Sequence, residues 1–570
     1  MIRHNLDVMH TEKNVFDNIF NTVLNVPGKT KDHAKSREEL NDICNRPDLA
    51  FNPSTGQYPK AIYALDKNAK QALLEWVKEL KFPDGHVSNL GRCVDLKKLK
   101  MNGMKSHDCH VFMQRLLPIA FREFLHPSVW EPITELSIFF KDLTCTTLKE
   151  DDLIEMEKDI AKILCKLERI FPPSFFDSME HLPIHLPYEA KLAGPVQYRW
   201  IYLRKLKRKV TNKAKVEGSI ATGYLYEEIA KFASFYFNDG DPTLPDRLQR
   251  NETRDDVVDD DVDRLSIFKP NGRPIGASKK RSLEEDEYTA AHSYILLNCP
   301  EIEHYKDLYV DELYEIIPGI TQVQVEVKLE TEFASWFERY AQTNYISNPY
   351  ISSLAKGPLR QANHFQGYFV NGFKFQTKAY GENQLTMNSG VCVKGSLYAP
   401  TESDFYGILT DVLELEYPAL PIKRTVLFKC NWFDPTDRGM SVHPRYNIVD
   451  VNHKRKYGKY EPFILAGQSG QVHYCTYPSK KKDKVNWWTV CKMRARSEID
   501  MPDSITPAFQ EDIIEQPLNV IPDDGSRILV DPVGEVETDV FFAPPEVEDE
   551  EQVPSISDEE DILEDDNDDD

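Results

Sequence analysis

The sequence predicts an α+β protein: a mainly helical N-terminal half, a small antiparallel β-rich C-terminal domain, and a disordered acidic tail. Three observations carry this. Apolar residues recur at helical spacing between Lys149 and Ile170. Short apolar runs separated by turn residues, one of them an Asn-Gly pair, fill residues 365–495. Fifteen Asp or Glu and no Lys or Arg lie between Glu546 and Asp570, a charge density that repels itself into disorder.

Residues 1–50 form a first segment, and a helical domain follows over 60–240. Asp66 is placed to cap a helix whose apolar face includes Leu73, Leu74, Val77 and Leu80, and Pro83-Asp84-Gly85 marks the turn after it. The helix from Lys149 to Ile170 carries Leu153, Met156, Ile160, Ile163, Leu164, Leu167 and Ile170 on one face. Acids at Glu150, Asp151 and Asp152 open it and Arg169 closes it, as the helix dipole favours; Pro172-Pro173 stops it. A further helix is expected over Ser219–Phe237. Residues 241–283 read as a linker with an Asp run (255–263) and Lys279-Lys280-Arg281. Helical segments near Glu284–Leu297 and Val325–Tyr340 fill residues 284–345. In the β-rich domain, 365–497, Asn371-Gly372 supplies the positive φ angles of a type I′ hairpin turn between Phe369-Val370 and Phe373-Lys374-Phe375. Phe405–Leu409, Val426–Cys430 and Gln471–Tyr474 read as further strands of a small barrel or sandwich. Residues 500–570 form the tail.

At 570 residues the chain exceeds one core, and 41% hydrophobic residues suffice for two or three. Without the tail the net charge of −24 falls to −9, so overall acidity does not exclude nucleic acid as a partner. No run of eighteen apolar residues occurs, so no membrane span is expected. Ten scattered cysteines without a C-x-x-C pair disfavour a zinc ribbon and fit a reducing compartment.

Several strings have a specific likeness. His4-Asn5-Leu6-Asp7-Val8-Met9-His10 with Glu12-Lys13-Asn14-Val15, and Gly28-Lys29-Thr30-Lys31-Asp32, resemble the end of the catalytic region of plant CACTA (En/Spm-like) transposases. Gly103-Met104-Lys105-Ser106-His107-Asp108-Cys109-His110, Leu116–Phe121 and Gly194-Pro195-Val196-Gln197-Tyr198-Arg199-Trp200 resemble a transposase-associated domain of unknown function (4218-type). Tyr460–Ala466 with Gln468 and Gln471-Val472 resembles a second such domain (4216-type) that follows the first. The resemblance implies a nuclear protein tied to transposon DNA. It implies a helical half that is the remnant of, and an insertion into, a ribonuclease-H-like core.

Such cores cut DNA with two divalent metals clamped by three carboxylates. Asp7 and His10 resemble the family's Asp-x-x-His string and are the catalytic candidates; the plainer reading makes Asp7 a helix cap and His10 a first-turn residue. The family's first acids are expected upstream of His4. A Glu that relatives carry shortly after Tyr-Arg-Trp is missing where Trp200-Ile201-Tyr202 runs into Leu203-Arg204-Lys205. The expectation is therefore no cofactor in this chain, with Mg2+ only in a site completed by further segments or a full-length transposase. His107-Asp108-Cys109-His110 reads as a helix entry rather than a metal site, since four adjacent residues cannot all face one ion. The DNA-binding candidates are Arg204, Lys205, Lys207, Arg208, Lys209, Lys213 and Lys215, seven charges in twelve residues, dense enough to neutralise several phosphates or to act as an import signal. His453-Lys454-Arg455-Lys456, Lys459, Lys480–Lys482 and Lys484 beside Trp487-Trp488 form a second basic, aromatic region, suited to base stacking or a nucleosome tail. DNA and chromatin are the expected partners. A metal-dependent transposase and a non-functional remnant are the competing readings.

Overall fold

A computed structural model describes residues 6–43, 46–196, 265–269, 272–395, 404–419, 421–478 and 484–495, together with Thr222, Leu225 and Tyr226. The predicted helix over 219–237 and the tail lie almost wholly outside the described residues.

Residues 6–196 are helical, as expected: α1 (Val8–Val23), α2 (Ala34–Ile43), α3 (Lys67–Glu79), α4 (Ser106–Val111), α5 (Leu117–Arg122), α6 (Pro127–Leu143), α7 (Glu150–Glu168), α8 (Ser178–His181) and α9 (Leu186–Ala193). Local chemistry sets their ends. The Asp66 carboxylate accepts from the Ala69 amide at 2.8 Å and starts α3. Glu150, Asp151 and Asp152 fill the first turn of α7. Gly194 closes α9 at φ 76°, a left-handed conformation that glycine adopts without strain. The apolar faces of α1, α3, α5, α6 and α7 meet in one core around Phe16, Phe20, Phe112, Phe121, Phe140 and Ile160. Within it the Phe20 and Phe112 rings sit edge to face at 5.3 Å. A two-residue pair, β1 (Val94–Asp95) with β2 (Lys100–Met101), is the only sheet among the described residues of this half.

The second half is built on a branched, ten-stranded antiparallel sheet. Its spine is β9 (Phe405–Tyr417), which pairs along its length with β10 (Lys423–Trp432). On its other edge, residues 405–408 pair with β8 (Gly390–Val393), and residues 412–414 with β5 (Gln361–Phe365). A register shift opposite Lys429 and Cys430 leaves Thr410 as an extra residue, the bulge at which the sheet forks. The main path runs β11 (Met440–Val442), β12 (Val449–Asn452), β15 (Trp487–Lys492), β14 (Gly470–Thr476), β8, β9, β10 and β13 (Phe463–Leu465). The Asn-Gly hairpin forms as predicted: β6 (Gly367–Val370) pairs with β7 (Phe373–Gln376), with Asn371 at φ 51° and Gly372 at φ 68°.

Residues 273–282, read from the sequence as linker, instead supply two strands. β3 (Arg273–Ile275) extends the β6–β7 hairpin into a three-stranded sheet, and β4 (Lys279–Ser282) pairs with β5. An edge strand needs no apolar alternation and is protected by charge, so its pattern resembles a linker. Arg281 is consequently not a free cation of a Lys-Lys-Arg cluster. Its guanidinium forks onto Glu287 at 2.8 and 3.0 Å and reaches Asp411 at 2.9 Å. Those hydrogen bonds, opposed by burial and helped by Lys429, pull the Glu287 carboxyl to about 2.

Four helices, α10 (Glu285–Leu297), α11 (Glu303–Ile316), α12 (Gln322–Thr343) and α13 (Pro349–Lys356), cover one sheet face. Ile295, Leu296, Phe333 and Phe337 share a core there with Leu413, Leu415, Tyr417 and Leu427. On the other face Tyr368, Val370 and Phe375 of the hairpin pack on Val412, Phe428 and Ile464. The result is a sheet layered between helices and a smaller sheet, so of the barrel or sandwich expected it is the packed sheets that form.

The two halves meet along a polar seam. Buried Asp450 accepts from Arg122 Nη1 at 3.0 Å, Tyr477 Oη at 2.7 Å and Thr489 Oγ1 at 2.8 Å. Trp76 Nε1 donates to the Thr476 carbonyl at 2.7 Å, and Arg494 reaches the Thr144 and Lys141 carbonyls at 3.1 and 3.2 Å. Among the described residues no helix is long and apolar enough to cross a membrane.

Candidate nucleic-acid interface

Asp7 is the N-cap of α1: its Oδ1 accepts from the His10 amide at 3.2 Å, and both residues are exposed. The structure thus joins these two through helix capping. One further carboxylate approaches, since Glu189 on α9 accepts from the Leu6 amide at 2.9 Å. Among the described residues no three of His, Cys, Asp and Glu gather as a set able to hold a metal.

Other residues of the family-like strings work in the fold. Arg37 Nε and Nη2 bind Asp32 bidentately at 2.6 and 2.7 Å. Asp108, near-fully buried at the start of α4, accepts from the Ser88 amide at 3.0 Å, the Ser88 hydroxyl at 2.6 Å and the Lys105 amide at 3.2 Å. His107 Nε2 lies 2.9 Å from the His86 carbonyl, and His110 Nδ1 contacts buried Glu12. The His-Asp-Cys-His string is thereby divided among separate partners. Gln468 accepts from Tyr294 at 2.8 Å and donates to Asn298 at 3.1 Å, fastening α10; Gln471 donates to the Lys374 carbonyl at 2.7 Å.

The basic run from Arg204 to Lys215 and the Lys480–Lys482 cluster lie outside the described residues. The remaining basic, aromatic region is laid out by the β12–β15 pair, in which Asn452 faces Trp487 and Val451 faces Trp488. Asn452 shapes the turn that follows, accepting from the Lys454 amide with its side chain at 3.1 Å and from the Arg455 amide with its carbonyl at 3.0 Å. The turn presents Lys454, Arg455 and Lys456 to solvent. Behind it the His453 ring stacks on Trp488 with centroids 4.2 Å apart and planes within 4°. Trp488 in turn meets Phe433 edge-on at 6.1 Å, and Lys456 Nζ sits 4.4 Å over the Phe433 ring.

The charges here crowd one another. Burial of its ammonium, then Lys378, pushes Lys456 below the usual lysine range. Burial, then Lys454, pushes His453 down, with Lys456 and Lys378 adding. His453 is therefore a neutral ring within a cationic rim. The adjoining turn adds Arg438, and Asp434 and Asp437 supply the acids there. Lys454 and Arg455 form no ion pair among the described residues. Asp434 offsets part of the Arg455 and Arg438 charge; the remaining like charges, held by a fixed turn, attract anions, and bound phosphate relieves their repulsion.

The two tryptophans have different tasks. Trp488 is spent on the internal stack. Trp487, half-exposed and on the opposite face, has no ring contact and no indole hydrogen bond among the described residues, so it is the aromatic surface open to a ligand. Lys378, at the start of α14 (Lys378–Gly381), was missed from the sequence. It joins the rim only through the tertiary fold, 75 residues before His453.

Two family models match the chain: a domain of unknown function (DUF4218) over residues 143–252 and another (DUF4216) over residues 413–490. Both are typical of plant transposase-associated regions. The first match includes Arg204–Lys215, and the second includes the His453–Trp488 rim. No curated protein and no solved structure matches the chain.

Proposed function

We propose that this chain is a nuclear protein derived from a CACTA-type transposon that associates with DNA or chromatin through backbone phosphates. The observation that carries the reading is the rim at His453–Lys456, where three exposed residues on one fixed turn bring cations together, Lys454 and Arg455 form no ion pair among the described residues, and Lys456 crowds Lys378. The Arg204–Lys215 run supplies a second cationic stretch. Contacts of this kind position a protein on nucleic acid without reading bases.

The test is duplex binding over a salt series. If each rim cation neutralises one phosphate, replacing Lys454 and Arg455 by Ala and Lys456 by Gln lowers the slope of log K against log salt by roughly 2 to 3. An unchanged slope and affinity would sink the rim. Neutralising Arg204–Lys215 separately tests the other stretch.

Glu189 beside the Asp7 element favours a second reading, in which α1 and α9 flank a strand-cleaving site completed by further carboxylates from another chain or segment. Magnesium-dependent nicking of transposon-end DNA, lost in Asp7→Asn, would establish that reading; no nicking with a full-length transposase present would remove it.

A further inference from the structure

Cys475 on β14 and Cys491 on β15 are sixteen residues apart in sequence with no motif between them. The strand register brings them together: Cys475 faces Thr489 and His473 faces Cys491, so the two cysteines are diagonal neighbours on one face. Their sulfurs lie 3.9 Å apart, and both are free thiols. The other described cysteines make no sulfur–sulfur contact. A disulfide bonds its sulfurs at about 2.05 Å, so the two strands must draw this diagonal pair together by roughly 2 Å.

We propose that Cys475 and Cys491 are a reversible modification site, a dithiol that hydrogen peroxide converts to a disulfide at the seam between the two halves. Cys491 is the residue oxidised first. It keeps part of its surface in solvent while Cys475 is fully buried. The Cys475 thiol donates to it and lowers its pKa, burial opposes, and Arg115 and Lys141 favour the thiolate. Arg115 is held there by its contacts with the Lys492 carbonyl and, at 3.8 Å, the Met493 sulfur.

The chemistry balances without a metal. The Cys491 thiolate attacks one peroxide oxygen; the S–O bond forms, the O–O bond breaks, and the departing hydroxide takes a proton to become water. The Cys475 sulfur then attacks Cys491 Sγ, the S–S bond forms and the S–O bond breaks. Hydroxide leaves as water with the Cys475 proton. Two thiols lose two electrons, and one peroxide becomes two waters. A thiol reductant reverses the change by exchange.

The full-length chain is treated with hydrogen peroxide, its remaining thiols are alkylated, and its peptides are mapped by mass spectrometry. The expected result is a 475–491 linkage, lighter by two hydrogens, roughly tenfold more abundant than any other pair and removed by dithiothreitol. Linkages spread over other cysteines, irreversible over-oxidation of Cys491 without linkage, or inert thiols in the folded chain would overturn the proposal. Cys475→Ser should leave a dimedone-reactive sulfenic acid at Cys491, and Cys491→Ser should leave none at Cys475; the reverse pattern overturns the order of attack. The mapping on the unaltered chain does not depend on either variant folding.

Discussion

His473 offers the sharpest quantitative test of the interior. It lies on β14 with its ring 4.7 Å from that of Phe82, and its Nε2 has no hydrogen-bond partner among the described residues. Burial, reinforced by His86 and Arg115, holds its pKa down to about 3. In the unfolded chain the value returns to about 6.5. The folded state therefore keeps the ring neutral while the unfolded state takes up a proton below pH 6.5. The stability linked to His473 is complete above that pH and is lost as pH falls toward 3. Between pH 7.5 and 5.5 the loss is RT times the logarithm of the unfolded-state protonation factor, about 1.4 kcal/mol. Glu180 slopes the other way: burial and Asp177 raise it to about 8, so its contribution, full below its unfolded value, fades as pH rises to 8. Comparing the wild type with His473→Leu cancels that opposing slope. Urea unfolding of both at the two pH values should show the wild type losing about 1.4 kcal/mol more than the variant. Parallel pH profiles would refute the argument that the ring is buried and neutral.

Arg122→Ala leaves the Asp450 carboxylate buried without its cation, and should cost about 3 kcal/mol, read as a lower urea midpoint. Phe375→Ala removes a ring with no exposed surface packed 5.1 Å from Phe428. A loss of about 4 kcal/mol is expected, and an effect below 1 would mean that the hairpin does not cover the sheet. In Gly390→Ala the new Cβ would lie 2.1 Å from the Val472 carbonyl oxygen. The β8–β14 pair should separate, seen as faster hydrogen exchange among the amides of β8 and β14.

Much of this architecture was legible because local chemistry and the fold agree. The period and end charges of α7, the Asp66 cap and the Asn371-Gly372 turn are set by near neighbours, and each appears where the sequence places it. The strand β4 was illegible because an edge strand of Lys-Lys-Arg-Ser has the composition of a linker. The site was legible only in outline. Basic and aromatic residues near 453–488 announce themselves, but which tryptophan is spent on His453 depends on pairing between β12 and β15. The Glu12–His110 contact spans 98 residues; nothing local encodes it, and an isolated Glu in a helix reads as a solvated face.

The cluster around Asp450 also bears on how such chains can be cut or recombined. The two stretches that match family models sit far apart in sequence and look like cassettes. Yet Tyr446, Cys475 and Tyr477 belong to the same apolar core as the helices before residue 196. Produced alone, the C-terminal cassette would present those side chains to water next to a carboxylate stripped of its guanidinium, and should precipitate or recruit a substitute cover. Exchange of one cassette between relatives would succeed only when the docking residues of the other travel with it.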